Sequence, residues 1–209
     1  ADLFPADAYG NAFVCEPAGN LIKRNVVKSE GGALVATPYY DQTEFLASTD
    51  ERFRPVNLLT GPDGALYVID LYRGIIQHRI SLTTYLREQI VKRGLDKPLA
   101  LGRVWRIAPE GAAVAPTKKL SAMTPAELVA ELASGNSWRR ETAQRLLVEA
   151  APDAAIDAAL VALAKDSPFA TPMGRVHALW ALEGRGAVKA EAVLAGMAHA
   201  DPRVRAAAI

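Results

Sequence analysis

Up to about residue 108 the apolar residues come in short runs bounded by Gly, Pro, Asn and Asp; beyond it they recur at helical spacing. The first pattern predicts strands and the second helices. Asn11 to Glu16 and Asn20 to Val27 are two strand runs, with Pro17-Ala18-Gly19 as the turn between them. Val56 to Thr60 and Ala65 to Asp70 form the clearest hairpin, joined by Gly61-Pro62-Asp63-Gly64. Pro presets φ for the turn's second position, Asp caps it, and Gly supplies a positive φ where the next strand begins. Gly102 to Ala108 is a further strand, with Val104 and Trp105 as its expected packing residues. Thr83 to Arg93 has helical spacing and reads as an inserted helix that Gly94 stops.

The second part reads as helix pairs. Thr124-Pro125-Ala126-Glu127 is a capping box with Pro at the first helical position. Ser137 to Ala150, Asp153 to Lys165, Thr171 through Leu182, and Ala187 to His199 follow as helices, and Asp201-Pro202 opens another. The pattern Arg-x-x-Ala occurs at Arg140/Ala143, Arg175/Ala178 and Arg205/Ala208, at offsets of 35 and 30 residues. Periods of this size on helix pairs indicate an α-solenoid, with a compact helical bundle as the alternative. A small Ala lets helices approach closely, and the Arg can reach carbonyls or carboxylates of a neighbouring repeat. Trp105, Trp138 and Trp180 are read as core anchors.

Composition sharpens the division. All six tyrosines precede residue 109 and alanine dominates after it, while acidic and basic residues balance within each part. The expected organisation is residues 1–108, a Gly/Ala/Pro-rich linker at 109–119, and helical repeats at 120–209. At roughly 40–50 residues per four-stranded blade, the first part makes about two blades of a β-propeller. A closed propeller needs more, and the chain starts at Ala1 and stops inside a helical pattern, so it is expected to be a segment of a longer protein. Half of its 209 residues are hydrophobic, which excludes wholesale disorder. A net charge of +1 without a basic tract argues against a nucleic-acid partner. No apolar run is long enough to span a bilayer. The single Cys15 excludes an internal disulfide and an all-cysteine metal site.

Several stretches together resemble one family. They are Tyr9-Gly10-Asn11-Ala12-Phe13-Val14-Cys15-Glu16-Pro17-Ala18-Gly19-Asn20, Phe45 to Asp50, Phe53-Arg54-Pro55-Val56-Asn57, Gly61 to Gly74, Gly102 to Ile107, and Trp138 to Leu147. This is similar to the planctomycete-type membrane-bound dehydrogenases. In that family a propeller like that of the quinoprotein glucose/sorbosone dehydrogenases is followed by HEAT-like repeats and a c-type cytochrome domain. The resemblance implies a β + α multidomain chain: the C-terminal blades of a propeller, then HEAT-like helices. It implies a periplasmic or secreted oxidoreductase of sugars or alcohols, using pyrroloquinoline quinone with calcium and passing electrons to a c-type haem domain of the same full-length protein. This chain has no Cys-x-x-Cys-His, so no haem attaches covalently within it. The alternative function is a non-catalytic scaffold that binds a polysaccharide or a protein.

Candidate chemistry lies around the end of the second hairpin strand. His78, near Arg73 and Arg79 in sequence, is either a general base facing a propeller mouth or an ordinary loop histidine. Asp70, Tyr72 and Arg73 end a strand and open a loop, where they could contact a quinone, a sugar or calcium. The simpler reading is that Asp70 caps the turn and Arg73 pairs with it. Arg54 and Asn57 are weaker cofactor- or substrate-binding candidates. Asp41, Glu44, Asp50 and Glu51 lack the alternating ligand loop of a calcium site, no metal ligand set is expected, and no glycine cluster matches a phosphate-binding loop. His177 reads as a structural histidine in a packed helix, and His199 as a helix-end cation.

Overall fold

The computed structural model describes residues 2–112, 118–165, 167 and 170–209, the side chain of Arg79 excepted. It divides into two compact units, Leu3–Ala112 and Ala113–Ile209, the latter with Ala1–Asp2. The expected linker at 109–119 falls partly on residues 113–117, outside the described residues. The chain is mixed: two small antiparallel sheets in the first unit and helices in the second.

The first sheet contains β1 (Asn11–Glu16), β2 (Leu21–Glu30), β3 (Ala33–Pro38) and β4 (Leu46–Ala47). β2 is central: β1 pairs along one side, and β4 and β3 share the other, β4 against its start and β3 against its end. The sequence pattern ended β2 at Val27 and did not foresee β3. All six residues of β3 are exposed, so its burial shows no alternation to read. Gly31 and Gly32 both adopt positive φ and turn the chain between the two strands. The second sheet has the order β5 (Pro55–Thr60), β6 (Leu66–Asp70), β7 (Arg103–Ile107). Among the described residues neither sheet closes on itself.

The hairpin β5–β6 turns as its residues dictate. Gly64 takes φ +78°, its N–H bonds the Gly61 carbonyl at 3.0 Å, and the Asp63 carboxylate accepts from Ala65 N–H at 3.2 Å. The same carboxylate accepts from Arg106 Nε at 2.6 Å, which ties β7 to the turn. Ile22, Phe53, Ala65 and Val68 are buried, and Phe13 sets its edge on Phe45 at 4.9 Å between centroids. Val104 and Trp105 are not the packing residues expected of β7: they are 61% and 44% exposed. Val104 points to the opposite face from Trp105, as strand alternation requires. Trp105 keeps its indole N–H for a buried carboxylate while leaving the rest of its ring partly wet.

Helix α1 (Thr84–Lys92) is capped by the Thr83 hydroxyl, which accepts from Leu86 N–H, and ends at Gly94 with φ +62°. No residue of α1 is fully buried, so its ends are held by polar ties. Arg52 donates to the carbonyls of Gly94 (2.8 Å) and Lys97 (3.0 Å), and Arg93 pairs with Glu51.

The second unit contains α2 (Pro125–Glu131), α3 (Ser137–Glu149), α4 (Ala154–Lys165), α5 (Pro172–Gly184), α6 (Ala190–Met197) and α7 (Pro202–Ala207). Contacts join α2 to α3, α4 to α5 and α6 to α7; they also run α2–α4–α6 and α3–α5–α7. Six helices therefore stack as three successive pairs in two rows. Each helix of the second row repeats one device. A side-chain cap (Asn136, Thr171, Asp201) opens the helix by accepting a first-turn N–H. Four residues on, Arg140, Arg175 and Arg205 fold back onto carbonyls just past the end of the preceding helix or in its last turn: Ser134 and Gly135, Ala164 and Lys165, His199 and Ala200. Three residues further, Ala143, Ala178 and Ala208 are buried. The arginine thus meets carbonyls that have no intrahelical donor, at the end where a cation suits the helix dipole.

α6 is shorter at both ends than the expected 187–199. Trp180 is 51% exposed rather than a core anchor. It lies two residues, about 200° of helix, beyond the buried Ala178 and so faces away from the packed stripe. Trp138 does pack against the core.

Candidate functional site

The end of β6 carries a dense polar network. Asp70 is 1% exposed. Its Oδ1 accepts the backbone N–H groups of Arg54 and Tyr72, both at 2.8 Å, and its Oδ2 accepts Trp105 Nε1–H at 3.0 Å. A buried carboxylate with three N–H donors is solvated by the protein. The donors are not those of Arg73, whose expected pairing with Asp70 is absent among the described residues. Arg103, directly opposite Asp70 in the β6–β7 register, lays its guanidinium 3.4 Å from the centroid of the Tyr72 ring. Tyr72 itself has φ +44°, a left-handed conformation that a bulky residue rarely adopts. Its N–H to Asp70, its hydroxyl to Asp50 Oδ2 at 2.8 Å and the stacked Arg103 hold it there. The Arg52 N–H and the Tyr72 hydroxyl donate to Asp50 and hold its carboxyl below the usual range, against burial.

Arg54 acts as a bracket. Its guanidinium donates to the carbonyls of Arg73 (3.0 Å), Pro17 (2.6 Å), Ala18 (3.2 Å) and Gly74 (3.0 Å), joining the β1–β2 turn to the loop after β6. Burial lowers its pKa. Asn57 sits at a β-bulge, and its side-chain oxygen accepts the next residue's N–H at 2.8 Å. In the acidic stretch, Glu44 pairs with Lys23 at 3.0 Å and Glu51 with Arg93. His177 Nδ1 meets Gln144 Oε1 at 2.6 Å between α5 and α3, and burial, then Arg140, depress its pKa.

Arg73 and His78 lie elsewhere, on an open cleft of about 640 Å³ between the loop after β6, α1 and the segment beyond it. Its wall is branched aliphatic, with Ile75, Ile76, Leu82, Ile90 and Leu95; its polar groups include Arg73, His78, Arg87 and Asp96. The exposed His78 ring accepts Ile80 N–H at 3.5 Å through Nδ1. Gly74 lets the loop close on this side: a Cβ there would sit 2.3 Å from the Leu95 carbonyl oxygen. The predicted residues thus split into two places. Asp70, Tyr72 and Arg54 belong to the strand-end network, and Arg73 and His78 to the cleft. Asp50, Arg103 and Trp105 complete the network and Arg87 the cleft. Of these, the sequence singled out only Asp50, within the acidic stretch, and Trp105, as a packing residue; Arg103 and Arg87 carried no local signal.

Residues 1–111, more than half of the chain, match the DUF7133 family, described as a domain of unknown function. The chain belongs to the DUF7133 family. No curated protein and no solved structure matches it. The DUF7133 match spans both the network and the cleft. Among the described residues no three His, Cys, Asp or Glu side chains converge as a metal site, and no helix is long and apolar enough to cross a membrane. Both Asp70 oxygens and the Arg54 guanidinium make hydrogen bonds within the DUF7133 unit. The lone Cys15, its thiol pKa raised by burial, cannot supply a two-thioether haem attachment.

Proposed function

We propose that this chain is a non-catalytic part of a periplasmic or secreted, quinoprotein-like and cytochrome c-linked oxidoreductase of sugars or alcohols. Residues 3–112 are the C-terminal blades of its propeller and the helices beyond residue 118 its HEAT-like repeats. The observation that carries the reading is the order of parts. Two antiparallel strand meanders bear the family-like motifs, and stacked helix pairs with a recurring Arg-x-x-Ala follow them. Leu59 and Val104, on one face of the β5–β7 sheet and more than half exposed, support a neighbouring blade there. The redox chemistry then belongs to other parts of the protein, and this chain contributes framework and a cleft wall.

The test uses the full-length protein, supplied with calcium and pyrroloquinoline quinone. Quinone-dependent reduction of a dye by a sugar or alcohol, with a c-type haem α-band in the reduced-minus-oxidised spectrum, supports the proposal. Absence of quinone binding and of turnover with every sugar and alcohol tried overturns it. A second reading, a polysaccharide- or protein-binding scaffold, is favoured by one observation: Asp70 and Arg54 at the strand end are both bonded structurally. Saturable capture of a polysaccharide without turnover would put that reading first.

A further inference from the structure

Arginines in this chain are almost uniformly occupied. They cap carbonyls, pair with carboxylates or stack on rings: Arg24 on Asp7 and Tyr39, Arg106 on Asp63, Arg139 on Glu131, Arg185 on Asp157 and the Leu147 carbonyl. Among the described residues, the exceptions are Arg73 and Arg87, whose guanidinium groups have no hydrogen bond, ion pair or ring contact. Both line the same cleft. They reach it from different elements, Arg73 from the loop after β6 and Arg87 from the first turns of α1.

We propose that this cleft binds a small amphiphilic carboxylate, its anionic head held by Arg73 and Arg87 and its apolar body against Ile75, Ile76, Leu82 and Ile90. The charge balance favours a monoanion: among the described residues the lining includes two arginines and one carboxylate, Asp96. Planar guanidinium forks suit a planar carboxylate, and an apolar wall of this extent would stay wet beneath a bare inorganic anion. A volume of about 640 Å³ lies within the ordinary range for small-molecule sites and exceeds what a short acid needs. His78 at the rim supplies one further polar group. The site is separate from the Asp70 network and does not rest on the oxidoreductase reading.

Calorimetric titration of the intact protein with decanoate, decanamide, acetate and inorganic phosphate tests this. Decanoate is expected to bind saturably below about 1 mM, with decanamide and acetate weaker by about tenfold or more. Arg73→Gln and Arg87→Gln each weaken decanoate by about fivefold or more while the far-ultraviolet dichroism spectrum stays unchanged, since neither side chain holds a neighbour. Equal binding of decanoate and decanamide would overturn the carboxylate assignment, and so would phosphate binding more tightly than decanoate. Decanoate binding that survives both glutamine substitutions, or that is absent up to about 5 mM, overturns the site.

Discussion

Arg175 donates to the Ala164 carbonyl at 2.8 Å, so a residue in the first turns of α5 closes the end of α4. Arg140 and Arg205 do the same for the ends of α2 and α6. The repeat seen in the sequence is therefore a joint: cap, arginine and alanine together set how the second helix of each pair meets the first. Hydrogen bonds from a charged donor to otherwise unpaired, partly buried carbonyls matter more than surface ion pairs. Arg175→Met, which keeps the stem and removes the donors, is expected to lower the unfolding free energy by about 2 kcal/mol. Arg145→Ala breaks an i,i+4 pair with Glu149 in which both side chains are more than half exposed, and should cost less than about 0.5 kcal/mol. Urea unfolding of the two variants checks the contrast. Equal, small losses would remove the joint from the account.

Asp70 separates a structural from a ligand-binding role. In Asp70→Asn one carboxylate oxygen becomes an NH2 group, which must face at least one of the three N–H donors that the carboxylate now accepts. The expected loss is about 3 kcal/mol, with a change in the emission of Trp105 as its indole N–H is released. A variant of native stability that had lost only ligand affinity would show the carboxylate to be a binding group instead. Denaturant titration followed by tryptophan fluorescence distinguishes the two.

How far these features were legible in the sequence depends on how local their causes are. The β5–β6 hairpin was legible because Pro62, Asp63 and Gly64 each impose a turn geometry on their own neighbours. The helix starts at Thr124, Thr171 and Asp201 were legible for the same reason. Strand β3 was not, since Ala33–Pro38 buries neither face and is ordered by pairing with an extended β2. Trp105 and Trp180 misled because a large aromatic ring reads as core wherever it stands. The first turned out to be a hydrogen-bond donor, and the second points off the packed stripe. At the strand end, Asp70 and Tyr72 stood out as a strand terminus. Asp50 and Arg103 reach them through a loop and a sheet register that no local pattern encodes. Arg87 gave no signal of its own: its distinction is to lack a partner, which only the surrounding structure reveals.

Acid should loosen the helical unit at its caps. Lys118 and the Thr124 backbone and hydroxyl hold the Glu127 carboxyl down at about 2, and Arg203 holds Asp201 at about 2 as well. Both carboxyls stay ionised in the folded chain at pH values where the unfolded chain has already taken up the proton. Their stabilising contribution is therefore complete above about pH 4.5 for Glu127 and about pH 3.8 for Asp201, and is lost as pH falls toward 2. The Lys118–Glu127 pair is exposed, so added salt should flatten its share of the effect. Glu127→Gln is expected to remove part of the acid sensitivity between pH 4.5 and 2 and to leave the profile near neutrality unchanged in shape. Thermal melts across that range check it. A carboxyl carbon titration of Glu127 by NMR with a midpoint near 4.5 would contradict the cap geometry directly.

Gly74 links the two halves of the cleft, and its substitution should be felt at both stability and binding. A Cβ on residue 74 would stand 2.3 Å from the Leu95 carbonyl oxygen and 2.6 Å from the Leu95 Cβ, too close for either to remain in place. The neighbour on one side is backbone, which cannot swing aside as a flexible side chain would. The Gly74 carbonyl also receives a bond from Arg54, so the loop is anchored from the opposite side and has little freedom to retreat. Gly74→Ala is thus expected to destabilise the Leu3–Ala112 unit by about 1–3 kcal/mol, the usual cost of forcing extra volume into packed structure. It should also weaken decanoate binding, because the loop that carries Arg73 and Ile75 would move away from α1. Gly10→Ala provides the contrast. Residue 10 has φ +73° but open space around its missing Cβ, so its cost is conformational strain alone and the cleft is untouched. Melting temperatures and decanoate titrations of the two variants test the argument. Loss of binding in Gly10→Ala as large as in Gly74→Ala would show that the cleft does not depend on the approach of residue 74 to Leu95.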